Sequence, residues 1–155
     1  MKTRIIRAPD VVKYGVNVSV FLAGTIDNGA GSDWYSKITN EFSSYVDFVI
    51  PRRINWVPNP SKQLLEEQID WELHAIGDCD VICFYFEDGS KSPITLLELG
   101  LCLASHKRII VYCTDKFYRH QNVLQTCAMY GVKLHTSVES LNDALKKIII
   151  EYPVR

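Results

Sequence analysis

The sequence predicts an α/β fold: a three-layer sandwich in which a five-stranded, mostly parallel sheet lies between two layers of helices. Three observations predict it. Short, near-continuous apolar runs recur at 17–23, 46–50, 80–86 and 108–113, as strands buried on both faces require. Stretches with helical start and stop signals separate them. Strands that alternate with helices close into parallel neighbours through right-handed crossovers.

The elements follow in order. Residues 3–7 form a short edge strand closed by Ala8-Pro9-Asp10, and residues 17–23 a buried strand. That strand runs into Gly24-Thr25-Ile26-Asp27-Asn28-Gly29-Ala30-Gly31-Ser32, a loop of glycines and short polar residues ahead of a helix over 33–45. A strand, a glycine-rich turn and a helix start are the parts of a phosphate or small-ligand cradle, although the spacing is not that of a dinucleotide fingerprint. Val46 to Ile50 is the next strand, followed by Pro51-Arg52-Arg53-Ile54-Asn55-Trp56 and a loop to Pro60. Ser61 is placed to cap a helix that ends at Gly77. Asp80 to Phe86, the most hydrophobic strand, is central. Ser92 as N-cap and Pro93 in the first turn open a helix that is apolar on nearly every side. A strand at 108–113, a helix at 122–130, a short strand at 132–135 and an amphipathic helix from Ser137 to Glu151 complete the chain. Five core strands of this kind take the flavodoxin-like order, and ligands then bind beyond their carboxyl ends, near 24–32, 51–60, 87–92 and 114–121.

At 155 residues the chain is one domain able to bury a sizeable core. Its apolar content of 47% and charged content of 23% are ordinary for a globular protein, and its formal net charge of -1 sets up no field for nucleic acid or an anionic membrane. A local basic pocket can still meet a small polyanion. Cys79, Cys83, Cys102, Cys113 and Cys127 lie singly in apolar segments, with no C-x-x-C pair, which reads as buried free thiols in a reducing compartment. The amino terminus lacks the pattern of a secretory signal, and no apolar run approaches membrane length. The expected setting is the cytoplasm.

Glu98 is the residue that stands out, one carboxylate inside the apolar helix Pro93-Ile94-Thr95-Leu96-Leu97-Glu98-Leu99. A buried carboxylate is costly unless it is paired, protonated or used. It is either a structural group held by an arginine or backbone amides, or a nucleophile. Arg52, Arg53 and Trp56 either hold an anion and stack on a planar base, or form a solvated loop around a half-buried indole. Trp71-Glu72 either sets a carboxylate beside a large aromatic ring, or Asp70 and Glu72 are ordinary surface acids. Asp78 and Asp80 lie at the far end of the sheet and read as turn and cap residues. His74, His106 and His135 lack metal-ligand spacing, and only His120 falls in a loop at the expected ligand end.

Val20-Phe21-Leu22-Ala23-Gly24-Thr25-Ile26-Asp27, Pro51-Arg52-Arg53, Gln68-x-x-Trp71-Glu72 and Ser92-Pro93-Ile94-Thr95-Leu96-Leu97-Glu98-Leu99-Gly100, continued by Arg119-x-x-Asn122-Val123, resemble the nucleoside 2-deoxyribosyltransferase-like proteins. The likeness runs from about residue 5 to 145, with the motifs in family order. It implies a flavodoxin-like fold, no cofactor and no metal. It also implies a homodimer or higher homo-oligomer in which neighbouring subunits share active sites. The implied partners are a small-molecule nucleoside or nucleotide and a nucleobase, with no nucleic acid polymer and no membrane.

The resemblance further implies that Glu98 attacks the anomeric carbon of a 2-deoxynucleoside. The base then leaves with a proton, and a second base takes the sugar from the enzyme. Glu72 aligns with the acid that handles the base and its proton, and Asn122 with a residue supplied by the adjacent subunit. Gly24, Thr25, Asp27, Arg52, Trp56 and Ser92 fall where substrate binds. Transferases of the better-known type carry an Asp six residues before the nucleophile, where this chain has Ser92. In the related deoxynucleoside 5′-monophosphate N-glycosidases a Ser there helps hold phosphate. Hydrolysis of a nucleotide is therefore an alternative to transfer, and a non-catalytic nucleotide-binding module of the same fold is a third reading.

Overall fold

Along the two central strands, successive side chains enter opposite cores, as the period of two in an extended chain requires. Phe21 and Ala23 face one layer of helices, and Val20 and Leu22 face the other. The computed structural model describes residues 2–25, 32–43 and 45–152. Its strands are β1 (Arg4–Arg7), β2 (Val18–Gly24), β3 (Val46–Ile50), β4 (Val81–Phe86), β5 (Ile109–Cys113) and β6 (Leu134–His135). Its helices are α1 (Trp34–Thr39), α2 (Lys62–Asp78), α3 (Pro93–Ala104), α4 (His120–Met129) and α5 (Val138–Glu151).

All pairings are parallel, and the sheet order is β1-β3-β2-β4-β5-β6. The sheet thus has six strands, because β1 pairs with β3 and extends the five core strands by one. Those five keep the flavodoxin-like order. A buried carboxylate holds the added strand: Asp47 of β3 accepts from Arg4 Nε at 2.9 Å and from Asn17 Nδ2 at 2.9 Å. Helices α2, α3 and α4 supply one core, with Ala75, Ile76, Leu99, Cys102, Leu103, Val123 and Cys127. Helices α1 and α5 supply the other, with Trp34, Tyr35, Ile38, Leu141 and Leu145. All five cysteines are buried free thiols.

Three local expectations need correction. The first helix ends at Thr39 rather than near residue 45. Glu41 and Phe42 donate to Ile38 and Thr39, so the turn tightens, and the Phe42 ring packs edge-on to Phe48. Gly77 does not end α2, which runs on to Asp78. Ser92 stands at the cap position of α3, but its side chain makes no capping bond and its backbone is left-handed, with φ 47° and ψ 47°. Ser61 does cap α2 as expected, accepting from Leu64 N at 3.1 Å.

The chain leaves β2 for β3 on one side and returns across it to β4 on the other. The loops after β2 and β4 therefore part above the sheet on opposite faces, and a crevice opens between them.

Candidate active site

A cavity of about 460 Å³ fills that crevice. Its floor is the end of β2 and β3, at Ala23, Gly24, Thr25 and Pro51. One wall is α2, through Leu65, Gln68, Ile69 and Glu72; the other is the first turns of α3, through Ser92, Pro93, Ile94, Thr95 and Glu98; Trp56 lines it from the loop after β3.

Glu98 lies on the face of α3 that carries Thr95 and Cys102, one turn away on either side, and all three are buried. It is 7% exposed, and among the described residues it has neither a hydrogen-bond partner nor an ion pair. No arginine among the described residues plugs it. Burial pushes its carboxyl up to about 8, and the nearby carboxylate of Glu72 adds to that rise.

Glu72 is differently placed. Burial raises its carboxyl too, but a hydrogen bond from Gln68 and the charge of Arg53 oppose the rise. Gln68, 4% exposed and one turn earlier on α2, donates Nε2 to Glu72 Oε1 at 2.7 Å and to the Pro51 carbonyl at 2.8 Å. Its Oε1 accepts from Arg53 Nε at 2.6 Å. Sequence reasoning quoted Gln68 within a motif but gave it no role. The available signal was its place four residues before Glu72, on the same helical face.

At the end of β2, Gly24 answers to packing. A Cβ there would fall 2.3 Å from Trp34 Cζ2 and 3.0 Å from the Tyr85 carbonyl. The Trp34 indole is stacked 4.0 Å from the ring of Tyr35 and 4.5 Å from that of Tyr85, and its Nε1 donates to the Thr25 carbonyl at 3.2 Å. The backbone at the cavity floor is thereby fixed from below. Ser92 is buried, with its hydroxyl 3.0 Å from that of Ser90, which donates to the Glu87 carbonyl at 2.9 Å. Trp56 is half-buried, and its Nε1 is shielded from water without a partner among the described residues.

The structure thus brings Glu98, Glu72, Gly24, Thr25, Trp56 and Ser92 to one cavity. Arg52 is half-buried and is not among the lining residues; its charge acts on Asp33, whose carboxyl is lowered mainly by its bond to Ser36. Asn122 is exposed near the start of α4, away from the lining. Asp27 lies outside the described residues. His120 contacts the Thr114 carbonyl at 3.0 Å and is not part of the lining. Among the described residues no three His, Cys, Asp or Glu gather as a metal site, and no helix is long and apolar enough to cross a membrane.

Comparison with known proteins matches residues 17–117 to the family described as nucleoside 2-deoxyribosyltransferase like. The chain belongs to that family. The match takes in β2 through β5, and with them every described residue that lines the cavity. No curated protein matches the sequence. Among solved structures, a conserved protein from Enterococcus faecalis V583 aligns at 15% identity over 85% of this chain and 99% of its own, with a TM-score of 0.61. That likeness shows the shared fold. The CMP N-glycosidase BcmB of Clostridium botulinum aligns at 18% identity over 83% of this chain and 98% of its own, with a TM-score of 0.45.

Proposed function

We propose that this family member cleaves the N-glycosidic bond of a 2-deoxynucleoside and transfers the sugar to another nucleobase through a covalent glutamyl intermediate. One observation carries the reading: Glu98 is a buried carboxylate without a partner among the described residues, aimed at a cavity it shares with a second carboxylate, Glu72. A structural glutamate would have its charge satisfied. One left unsatisfied in a cavity is set for chemistry.

In the proposed reaction an ionised Glu98 oxygen bonds to the anomeric carbon as the carbon–nitrogen bond breaks. The bonding pair goes to the base nitrogen, which takes a proton from Glu72. The oxocarbenium-like transition state is stabilised by the carboxylate beside it. In the second half a new base attacks the same carbon, releases Glu98 and returns a proton to Glu72. The cavity walls, largely Leu65, Ile69, Pro93 and Ile94, suit a sugar without a 2-hydroxyl, and Trp56 offers a face for the base.

A second reading has its own support. Ser92 is 2% exposed at the cavity wall near Thr25, where transferases of the better-known type place an Asp. Two hydroxyls instead of a carboxylate favour a 5′-phosphate, and hydrolysis of a nucleoside 5′-monophosphate follows if water is the acceptor.

Incubation with a deoxynucleoside and a different free base tests the first reading, which expects a new nucleoside. The second expects free base and sugar phosphate from the nucleotide alone. In either case Glu98→Ala leaves the fold intact and lowers turnover by about 10³-fold or more. Unchanged turnover overturns the assignment. Thermal stabilisation by nucleosides or nucleotides without product marks a binding module instead.

The working unit we infer is a homodimer or larger. Asn122, which the family resemblance places at a neighbour's site, lies outside the cavity of its own chain. Leu65 and Ile69 of α2 and Ile94 of α3 line the cavity and stay exposed, and Leu73 on α2 and Leu97 and Leu101 on α3 are exposed further along the same helices.

A further inference from the structure

We propose that Gln68 is a positioning residue: its amide decides which of the two cavity carboxylates, Glu72 or Glu98, holds the single proton they share. The proposal builds on the reading of Glu98 as nucleophile and Glu72 as acid.

The Gln68 amide has one tenable orientation. Both hydrogens on Nε2 are committed, to the Pro51 carbonyl at 2.8 Å and to Glu72 Oε1 at 2.7 Å, while Oε1 receives Arg53 Nε at 2.6 Å. Turned over, the amide would set its oxygen against a carbonyl and a carboxylate, and its NH2 against a guanidinium. It is 4% exposed, held between the Pro51 carbonyl at the end of β3 and Glu72 on α2. A donor is therefore fixed on Glu72, with a cation behind it.

Glu98 has no such donor among the described residues. A hydrogen bond given to a carboxylate favours its charged form, and two carboxylates in one poorly solvated cavity resist being charged together. In the empty site the pair carries one proton, which sits on Glu98, with Glu72 as the anion. The other groups facing the pair are Tyr35 from α1 and Cys102 from α3, both pushed up by burial, Cys102 to about 11. They stay neutral across the range in which the carboxylates titrate. Arg53, from the loop after β3, is the cation acting on Glu72. Arg7 and Arg52 act on Tyr35 from the same end of the sheet.

Cleavage needs the proton on the other partner. When the sugar is seated Glu98 gives up its proton, which frees its oxygen to bond to carbon, and Glu72 takes one up, which departs on the base nitrogen. Gln68 sets how strongly a proton is held off Glu72 until then.

Carbon-13 NMR titration of the intact, glutamate-labelled protein tests this, with Glu72→Gln and Glu98→Gln assigning the two steps. In Gln68→Leu the Glu72 step should move up and the Glu98 step down. Arg53→Gln keeps the Gln68 amide and removes the cation together with its hydrogen bond to Gln68 Oε1; it should shift Glu72 upward by less, and it carries the test if Gln68→Leu does not fold. A Glu98 step that stays in place in folded Gln68→Leu, a Glu72 step unmoved in Arg53→Gln, or both steps moving upward in either variant, overturns the proposal. A purely structural Gln68 would cost stability and leave the two steps in their wild-type places. Since no substrate is involved, the outcomes separate. Opposed shifts in a protein that cleaves no nucleoside or nucleotide uphold the proton placement and sink the enzyme reading. An active enzyme with unmoved steps sinks only the role of Gln68.

Discussion

At Glu98 the protein holds a group that is easier to protonate folded than unfolded, and stability must register it. Its carboxyl titrates at about 8 in the folded chain, well above an ordinary glutamate. Between the two values the native state binds more protons than the unfolded one, so stability falls as pH rises through that window and levels off above it. Each unit of separation is worth about 1.4 kcal/mol. Glu98→Gln removes the penalty and relieves Glu72 of a neighbouring charge. The variant should unfold about 5–10 °C higher than the parent at pH 9, with the gap closing toward pH 4. Thermal melts across that range check it, and a pH-independent gap would show that Glu98 titrates normally. Gly24 gives a prediction of the opposite sign. With Trp34 Cζ2 2.3 Å from a new Cβ, and that ring held between Tyr35 and Tyr85, Gly24→Ala should cost about 1–3 kcal/mol in denaturant unfolding.

Among the elements, the start of α3 is where local geometry and the site meet. Ser92 holds a left-handed backbone, which costs a residue with a Cβ roughly 1–2 kcal/mol. Ser92→Gly recovers that strain less the greater chain entropy of glycine, so a gain of about 0.5–1 kcal/mol is expected. If the hydroxyl holds a phosphate, the same variant raises KM for nucleotides and leaves KM for nucleosides nearly alone. The serine–proline pair thus located the helix correctly in the sequence but misnamed its device, because a cap and a strained turn use the same residue types. The strands were legible because burial on both faces leaves continuous apolar runs, as in Val81 to Phe86. The end of α1 was not, because Phe42 and Tyr45 continue a helical spacing although only Phe42 packs inward, against Phe48. Glu98 could be singled out as one acid in an apolar helix. For Gln68 the sequence offered only its spacing from Glu72, since its other partners, Pro51 and Arg53, are brought to it only by the fold.

For the molecule as a whole, a cavity complete in one chain and a site complete only in two make different predictions. Asn122 is exposed on α4, while the residues lining the cavity come from the ends of β2 and β3, the loop after β3, α2 and α3. Around the mouth, Leu65, Ile69 and Ile94 both line the cavity and reach solvent, and Leu97 beyond them is 69% exposed. A second copy covering this surface would bury the apolar residues and bring its own α4 toward the cavity. On that arrangement Glu98→Ala and Asn122→Ala are each inactive alone but lesion different halves of a shared site. Mixed under conditions that let subunits exchange, half the dimers become hybrids with one intact site each, so about a quarter of wild-type turnover should return. Leu97→Glu should abolish that recovery and shift the mass in sedimentation to the monomer, because a buried unpaired charge is not tolerated in such a contact. If the mixture stays inactive while sedimentation shows exchange, Asn122 serves no neighbour. If Asn122→Ala alone is fully active, the cavity works within one chain and the exposed leucines need another occupant.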